Sequence, residues 1–247
     1  MNARGLTPAH LRYIVCYMTS SNRHAAPSAG EHTDDTAHAF WERVYAGRTT
    51  PTSGRPSEVL TRFAEGRPPG RALELGCARG DDAIWLAQRG WMVTGVDISE
   101  TALEAARVAA SAAGVAGHVQ FERHELGESF PEGTFDLVTA LFLQSPMPFG
   151  RTQVLRRAAQ AVGAGGLLLL VTHGSRAPWS WSAPDTVYPS AADELAALAL
   201  APAQWREVFV GSLSRTAFGP SGEQASVLDT IVAIERCDPL YSGVESR

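Results

Sequence analysis

From Arg71 to His173 the chain repeats one pattern: a short apolar run, a turn of small or acidic residues, a stretch with helical spacing, then another apolar run. The runs Arg71 to Leu75, Met92 to Val96, Val119 to Glu122, Phe135 to Ala140 and Leu167 to Thr172 read as strands. Between them, Asp81 to Arg89 carries acids in its first turn and Gly90 as its stop. Ser99 caps a long Ala-rich helix that ends at Gly114, and a further helix covers about Thr152 to Val162. Strands alternating with helices predict an α/β fold: a parallel sheet with helices on both faces.

The flanks differ from this rhythm. Residues 1 to 36 crowd Ser, Thr, His, Ala, Asp and Gly with no apolar period after Met18, and read as a disordered tail, with Met18 itself a candidate start. Order is expected from Asp34 to Thr36, which can cap a helix through Phe40, Trp41, Val44 and Tyr45, and a second helix after Pro56 would bury Val59, Leu60 and Phe63. Past the fifth strand, Gly174 to Ser190 is a long Ser-, Pro- and Trp-rich connection, the mark of a lid or substrate wall. Ala191 to Leu200 reads as a helix, and Glu207 to Leu213 and Val227 to Ile234 as two strands that pair antiparallel. One domain therefore spans residues 37–236, with 237–247 a C-terminal tail.

With 45% apolar residues in 247, the chain can bury a full core without staples. All 21 basic residues are Arg, so a Schiff-base lysine and a Walker-type phosphate lysine are excluded. A net charge of −5 gives no general attraction to nucleic acid or anionic membranes, and no apolar run approaches the roughly 20 residues that cross a bilayer. Cys16, Cys77 and Cys237, odd in number and widely spaced, suggest neither a disulfide framework nor a metal site. A cytoplasmic setting, without a signal peptide, is expected.

Chemistry concentrates in LELGCARGDD, Leu73 to Asp82, which joins the first strand to its helix where open parallel sheets bind ligands. A dinucleotide fingerprint needs glycines at 76, 78 and 81; the chain has Gly76, Ala78 and Asp81, which argues against a nicotinamide oxidoreductase. What remains is Glu74, two small residues, Gly80, and then Asp97 closing the next strand, where an acid can accept both hydroxyls of a ribose. Cys77, at a helix start, reads as buried packing before reactivity.

On these residues the chain resembles the class I S-adenosylmethionine-dependent methyltransferases, over about Phe40 to Arg236. It is most similar to the small bacterial tellurite-resistance and thiopurine-type group, through FWERVY, GRPSEVL, ALELGCARGDDAIWLAQRGWMVTGVDIS, FDLVTALFLQSP and AVGAGGLLLLVTHG. The resemblance implies a Rossmann-like, mostly parallel seven-stranded sheet with an antiparallel last strand. It also implies S-adenosylmethionine as cofactor and S-adenosylhomocysteine as product. Glu74, Gly76, Cys77, Ala78 and Gly80 would surround the methionine part, Asp97 the ribose, and Ile98 one adenine face. Glu125 and Leu126 would lie near the adenine, and Ala140 and Leu141 beneath the sulfonium. Ala78 stands where the group usually has Gly, and Glu125 where Asp is commoner.

On the acceptor side, His173 at the end of the fifth strand is the candidate base, against the alternative of simple hydrogen bonding. Gln144 keeps a hydrogen-bonding group where similar enzymes often carry His. Trp41 and Tyr45 share one helical face and either anchor it to the sheet or cap the site. Trp179 and Trp181, aromatic in a polar loop, hint at a flat apolar substrate or a homodimer contact. The expected activity is methyl transfer to a small-molecule acceptor. The alternative is a non-catalytic cofactor-binding sensor or scaffold.

Overall fold

The apolar runs become the strands β1 (Arg71–Leu75), β2 (Met92–Asp97), β3 (Val119–Arg123), β4 (Phe135–Leu141) and β5 (Val162–His173) of a computed structural model of the chain. It describes residues 36–48, 54–180, 182–183, 185–219 and 222–238. Residues 1–35, with the candidate start at Met18, residues 239–247 and Trp181 therefore lie outside the described residues. Two further strands, β6 (Trp205–Phe218) and β7 (Gln224–Arg236), complete a seven-stranded sheet in the order β3-β2-β1-β4-β5-β7-β6. β1 to β5 run parallel, and β7 sits between β5 and β6, antiparallel to both.

The helices are α1 (Ala37–Ala46), α2 (Glu58–Ala64), α3 (Asp81–Ala87), α4 (Glu100–Ala112), α5 (Arg151–Gln160) and α6 (Ala191–Ala197). β5 shows why its sequence is a continuous apolar run. Leu167, Leu169 and Val171 pack in one core with Leu60, Leu86 and Leu103 of α2, α3 and α4, while Leu168 and Leu170 pack in a second with Leu155, Ala158 and Leu195 of α5 and α6. A strand covered on both faces has no polar side to alternate.

Several elements differ from their sequence boundaries. β5 begins at Val162 because its glycine-rich start still pairs with β4, through a register shift between Phe135 and Leu137. α6 stops at Ala197 because Ala199 takes a left-handed φ of 53°, which no helix can continue. β6 and β7 are longer than expected, since they remain paired with each other out to Phe218 and Gln224 after β5 has ended.

Candidate active site

The strand order reverses between β1 and β4, and the loops leaving these carboxyl ends enclose a cavity of about 340 Å³. Gly76 and Cys77 both donate their N–H to the carbonyl of Val96, at 2.8 and 2.9 Å, which folds the loop after β1 onto the end of β2. Asp97 completes that join: one carboxylate oxygen accepts from Ala78 N at 2.9 Å and the other from Ser99 N at 3.0 Å. Its side chain is buried, and desolvation pushes its pKa up to about 6 against the opposing pull of the Ser99, Ala78 and Ile98 N–H groups.

The loop is tight enough to require special backbone. Gly80 has φ 81°, and a Cβ there would lie 2.9 Å from the Phe121 ring and 3.0 Å from the Ala106 methyl. Ala78 takes φ 50° without being glycine, a conformation costing about 1–2 kcal/mol. Cys77 is 4% exposed, and burial, with Glu74 and Asp97 nearby, raises its thiol pKa well above the usual range. Packing describes this sulfur better than reactivity does.

Five elements supply the walls. Of the residues singled out in the sequence, Gly76, Asp97, Ile98, Glu125, Leu126, Trp41, Tyr45 and Gln144 line the cavity together. Glu74, Cys77, Ala78 and Gly80 are not among its lining residues, although Ala78 reaches the site through its bond to Asp97. Ala140 and Leu141 end β4 inside the two apolar cores. His173, at the end of β5, stacks its ring against Phe142 with centroids 4.7 Å apart. Trp179 does not line this cavity; it packs against Ala177, Ala217 and Val227 near the tip of the β6–β7 hairpin.

Several wall residues were not singled out in the sequence: Ala37, His124, Ser145, Pro148 and Phe149. His124 is held by the Ser129 hydroxyl at 2.9 Å and the Glu122 carboxylate at 3.1 Å. The Ser-Pro and Pro-Phe-Gly turns near residue 145 were the available signal for the rest. Trp41 donates its indole N–H to Ser145 Oγ at 3.2 Å, tying α1 to this segment.

The electrostatics are one-sided. Glu74 is 4% exposed, its Oε2 has no hydrogen-bond partner among the described residues, and burial together with Asp82, Asp81 and Asp97 holds its carboxyl well above the usual range. Such a cluster gains from a cationic ligand, and S-adenosylmethionine brings an ammonium and a sulfonium. The lining fits the nucleoside part of this cofactor, since an acid at the end of β2 could hold a ribose and apolar Ile98 and Leu126 a base. Among the described residues, no group of three His, Cys, Asp or Glu could hold a metal ion.

Residues 72–166 match the sequence family described as a methyltransferase domain. Over these residues the chain is similar to methyltransferase domains. The 27-O-demethylrifamycin SV methyltransferase of Amycolatopsis mediterranei is 36% identical over 135 residues, which are 54% of this chain and 49% of that protein. The chain thus spans about half the length of the curated relatives it matches. Among solved structures, one from work on the conversion of a disulfide bond into a thioacetal group during echinomycin biosynthesis superposes with TM-score 0.63 at 24% identity, covering 80% of this chain and 91% of that one. TehB from Haemophilus influenzae superposes with TM-score 0.57 at 13% identity, covering 81% and 67%. At these identities the structures establish the fold.

Proposed function

We propose that the protein transfers the methyl group of S-adenosylmethionine to a nucleophilic oxygen on a small molecule, releasing S-adenosylhomocysteine. The observation that carries this reading is the convergence of Gly76, Asp97, Ile98, Glu125 and Leu126 on one cavity at the reversal of strand order. The rifamycin relative, named for a hydroxyl methylation, supports oxygen as the accepting atom. No helix among the described residues is long and apolar enough to cross a membrane, in keeping with an acceptor and a cofactor met in the cytoplasm.

In this reading, Asp97 accepts the ribose hydroxyls with the lone pairs left over from its bonds to Ala78 and Ser99. Ile98 and Leu126 cover the adenine, Glu125 stands at its edge, and the Glu74-to-Gly80 loop surrounds the methionine part. Bound there, the cofactor supplies a methyl carbon already activated by its sulfonium. The protein has to align the acceptor in line with the departing sulfur and exclude water, so positioning carries most of the rate. Trp41 and Tyr45 close the cavity from α1, and Gln144 offers a hydrogen bond to the acceptor. His173 is the candidate base for an acceptor hydroxyl.

The test is S-adenosylhomocysteine release from the purified protein, with a catechol, an aliphatic alcohol and a thiol as acceptors. Turnover on a hydroxyl acceptor is expected, with His173→Ala slowing it most at low pH. Turnover confined to the thiol would reassign the accepting atom. Cofactor binding without turnover on any acceptor class would return the sensor reading.

A further inference from the structure

α1 forms one wall of the cofactor cavity through Ala37, Trp41 and Tyr45, yet only Tyr45 of its ten residues is buried. A helix with so little apolar anchorage has low local stability, and its attachment depends on the polar contacts it makes. Two of these reach neighbouring elements, one toward the segment after β4 and one toward α4. On the β4 side, Trp41 Nε1 donates to Ser145 Oγ at 3.2 Å. On the α4 side stands Glu42, the residue after Trp41.

The start of α4 explains what Glu42 does. The first N–H groups of a helix have no partner within it and need acceptors from elsewhere. Ser99, the cap residue, bonds to Glu42 through its side chain and also accepts from Ala102 N, at 3.2 Å. The two N–H groups before it point to Glu42: Oε1 accepts from Glu100 N at 2.6 Å, and both carboxylate oxygens lie 3.4 Å from Thr101 N. Thr101 adds its hydroxyl to Oε2 at 2.5 Å. Burial alone would raise the Glu42 pKa, but the Thr101 hydroxyl and the backbone N–H groups of Glu100 and Thr101 outweigh it and hold the carboxyl below its ordinary value. A negative charge at this end also meets the positive pole of the helix dipole.

We propose that Glu42 is a positioning residue for the cofactor site: it caps α4 from another helix, and so sets how firmly the Trp41–Tyr45 wall closes over Asp97 and Ile98. Glu42 is not among the cavity's lining residues, and its effect runs through α1. Asp97 and Ile98 immediately precede Ser99, so the clasp joins the α1 wall to the same strand end that would hold the nucleoside. The inference rests on the cofactor reading given above.

Two measurements on the full chain separate it from that reading. Hydrogen exchange followed by mass spectrometry reports the attachment of residues 37–46 without any ligand, and calorimetry with S-adenosylhomocysteine reports the site. In Glu42→Ala, exchange over 37–46 is expected to speed up, and S-adenosylhomocysteine to bind about 3- to 30-fold more weakly, the range lost when a helix cap is removed. The loss should fall mainly on the dissociation rate. Thr101→Val removes one partner of the clasp and should give a smaller change of the same kind, with the double variant no weaker than Glu42→Ala alone. This second variant also covers the case in which Glu42→Ala does not fold. Affinity within twofold of wild type in Glu42→Ala, or in Thr101→Val together with unchanged exchange over 37–46, overturns the proposal whatever happens to the melting temperature. Wild-type protein that binds no S-adenosylhomocysteine, while Glu42→Ala still loosens α1, would instead overturn the cofactor reading and leave the clasp standing.

Discussion

The part of the sheet that surrounds the cavity and the part beyond β5 are made differently. β1 to β4 are short parallel strands of five to seven residues, joined at the cavity by turns whose backbone is unusual: Gly76, Ala78, Gly80 and Phe142 all have positive φ. β6 and β7 are antiparallel strands of 14 and 13 residues, and the hairpin runs past the end of β5. Near its tip, Trp179 packs on a small cluster of its own. In the first part hydrogen-bonded turns constrain individual backbone atoms; in the second, side-chain contact area sets stability, and a loss there can stay local.

The largest test of this division is Asp97→Ala. It should weaken S-adenosylhomocysteine binding by about 3 kcal/mol, on the order of a hundredfold, because two hydrogen bonds to a charged group disappear and the Ala78 N–H is left without its acceptor. Trp179→Ala, measured by the same calorimetry, should leave that affinity unchanged within about twofold. A matching loss in both would erase the distinction.

Asp97 also gives the cavity side a pH signature. Its pKa is raised from 3.8 to about 6, so its contribution to the stability of the ligand-free protein is full below about pH 4 and lost as the pH rises through 6. Two ribose hydroxyls donating to the carboxylate favour the ionised form. S-adenosylhomocysteine should therefore bind more tightly at pH 7 than at pH 5, with release of a proton visible as a buffer-dependent heat. An affinity flat over that range removes Asp97 from ribose binding.

Smaller effects sharpen the contrast. Gly80→Ala combines left-handed strain with contact against Phe121 and Ala106, and should cost about 2–3 kcal/mol in chemical denaturation. Trp179→Ala should cost about 1–2 kcal/mol by the same measurement, since the ring is only partly buried. Ala78→Gly should act least: relief of its φ of 50° is largely offset by the greater freedom of an unfolded glycine, leaving a gain of about 0.5 kcal/mol.

The sequence was legible where local chemistry and the fold agree. β1 begins and ends at the residues its apolar pattern marks, and Ser99 caps α4 as expected, because each boundary is set by side chains within a few residues. Asp97 was recognisable because strand and turn signals leave it at one position only. The rest of the wall depends on distant partners. Ser145 matters through the indole of a tryptophan 104 positions earlier, and Glu42 through a helix start 58 positions later, and neither carries a periodic signal. Trp179 and Trp41 are equally aromatic in the sequence; only the tertiary structure separates the one on the hairpin from the one in the cavity wall. Phe142 has an ordinary sequence context, yet it takes a φ of 55° where the chain leaves β4 with its N–H still bonded to Val171 O at 2.7 Å.

One arrangement reaches further than catalysis. The carboxylate of Asp97 belongs to a strand paired on both sides, whereas Leu143, Gln144, Ser145, Pro148 and Phe149 lie in a segment with no ladder bonds to protect. Replacing Gln144, Pro148 or Phe149 would reshape the cavity wall without removing a rung of the sheet. A library randomised at 144 and 146–149, which spares Ser145 as the anchor of Trp41, should vary this wall while leaving the strand that carries Asp97 intact.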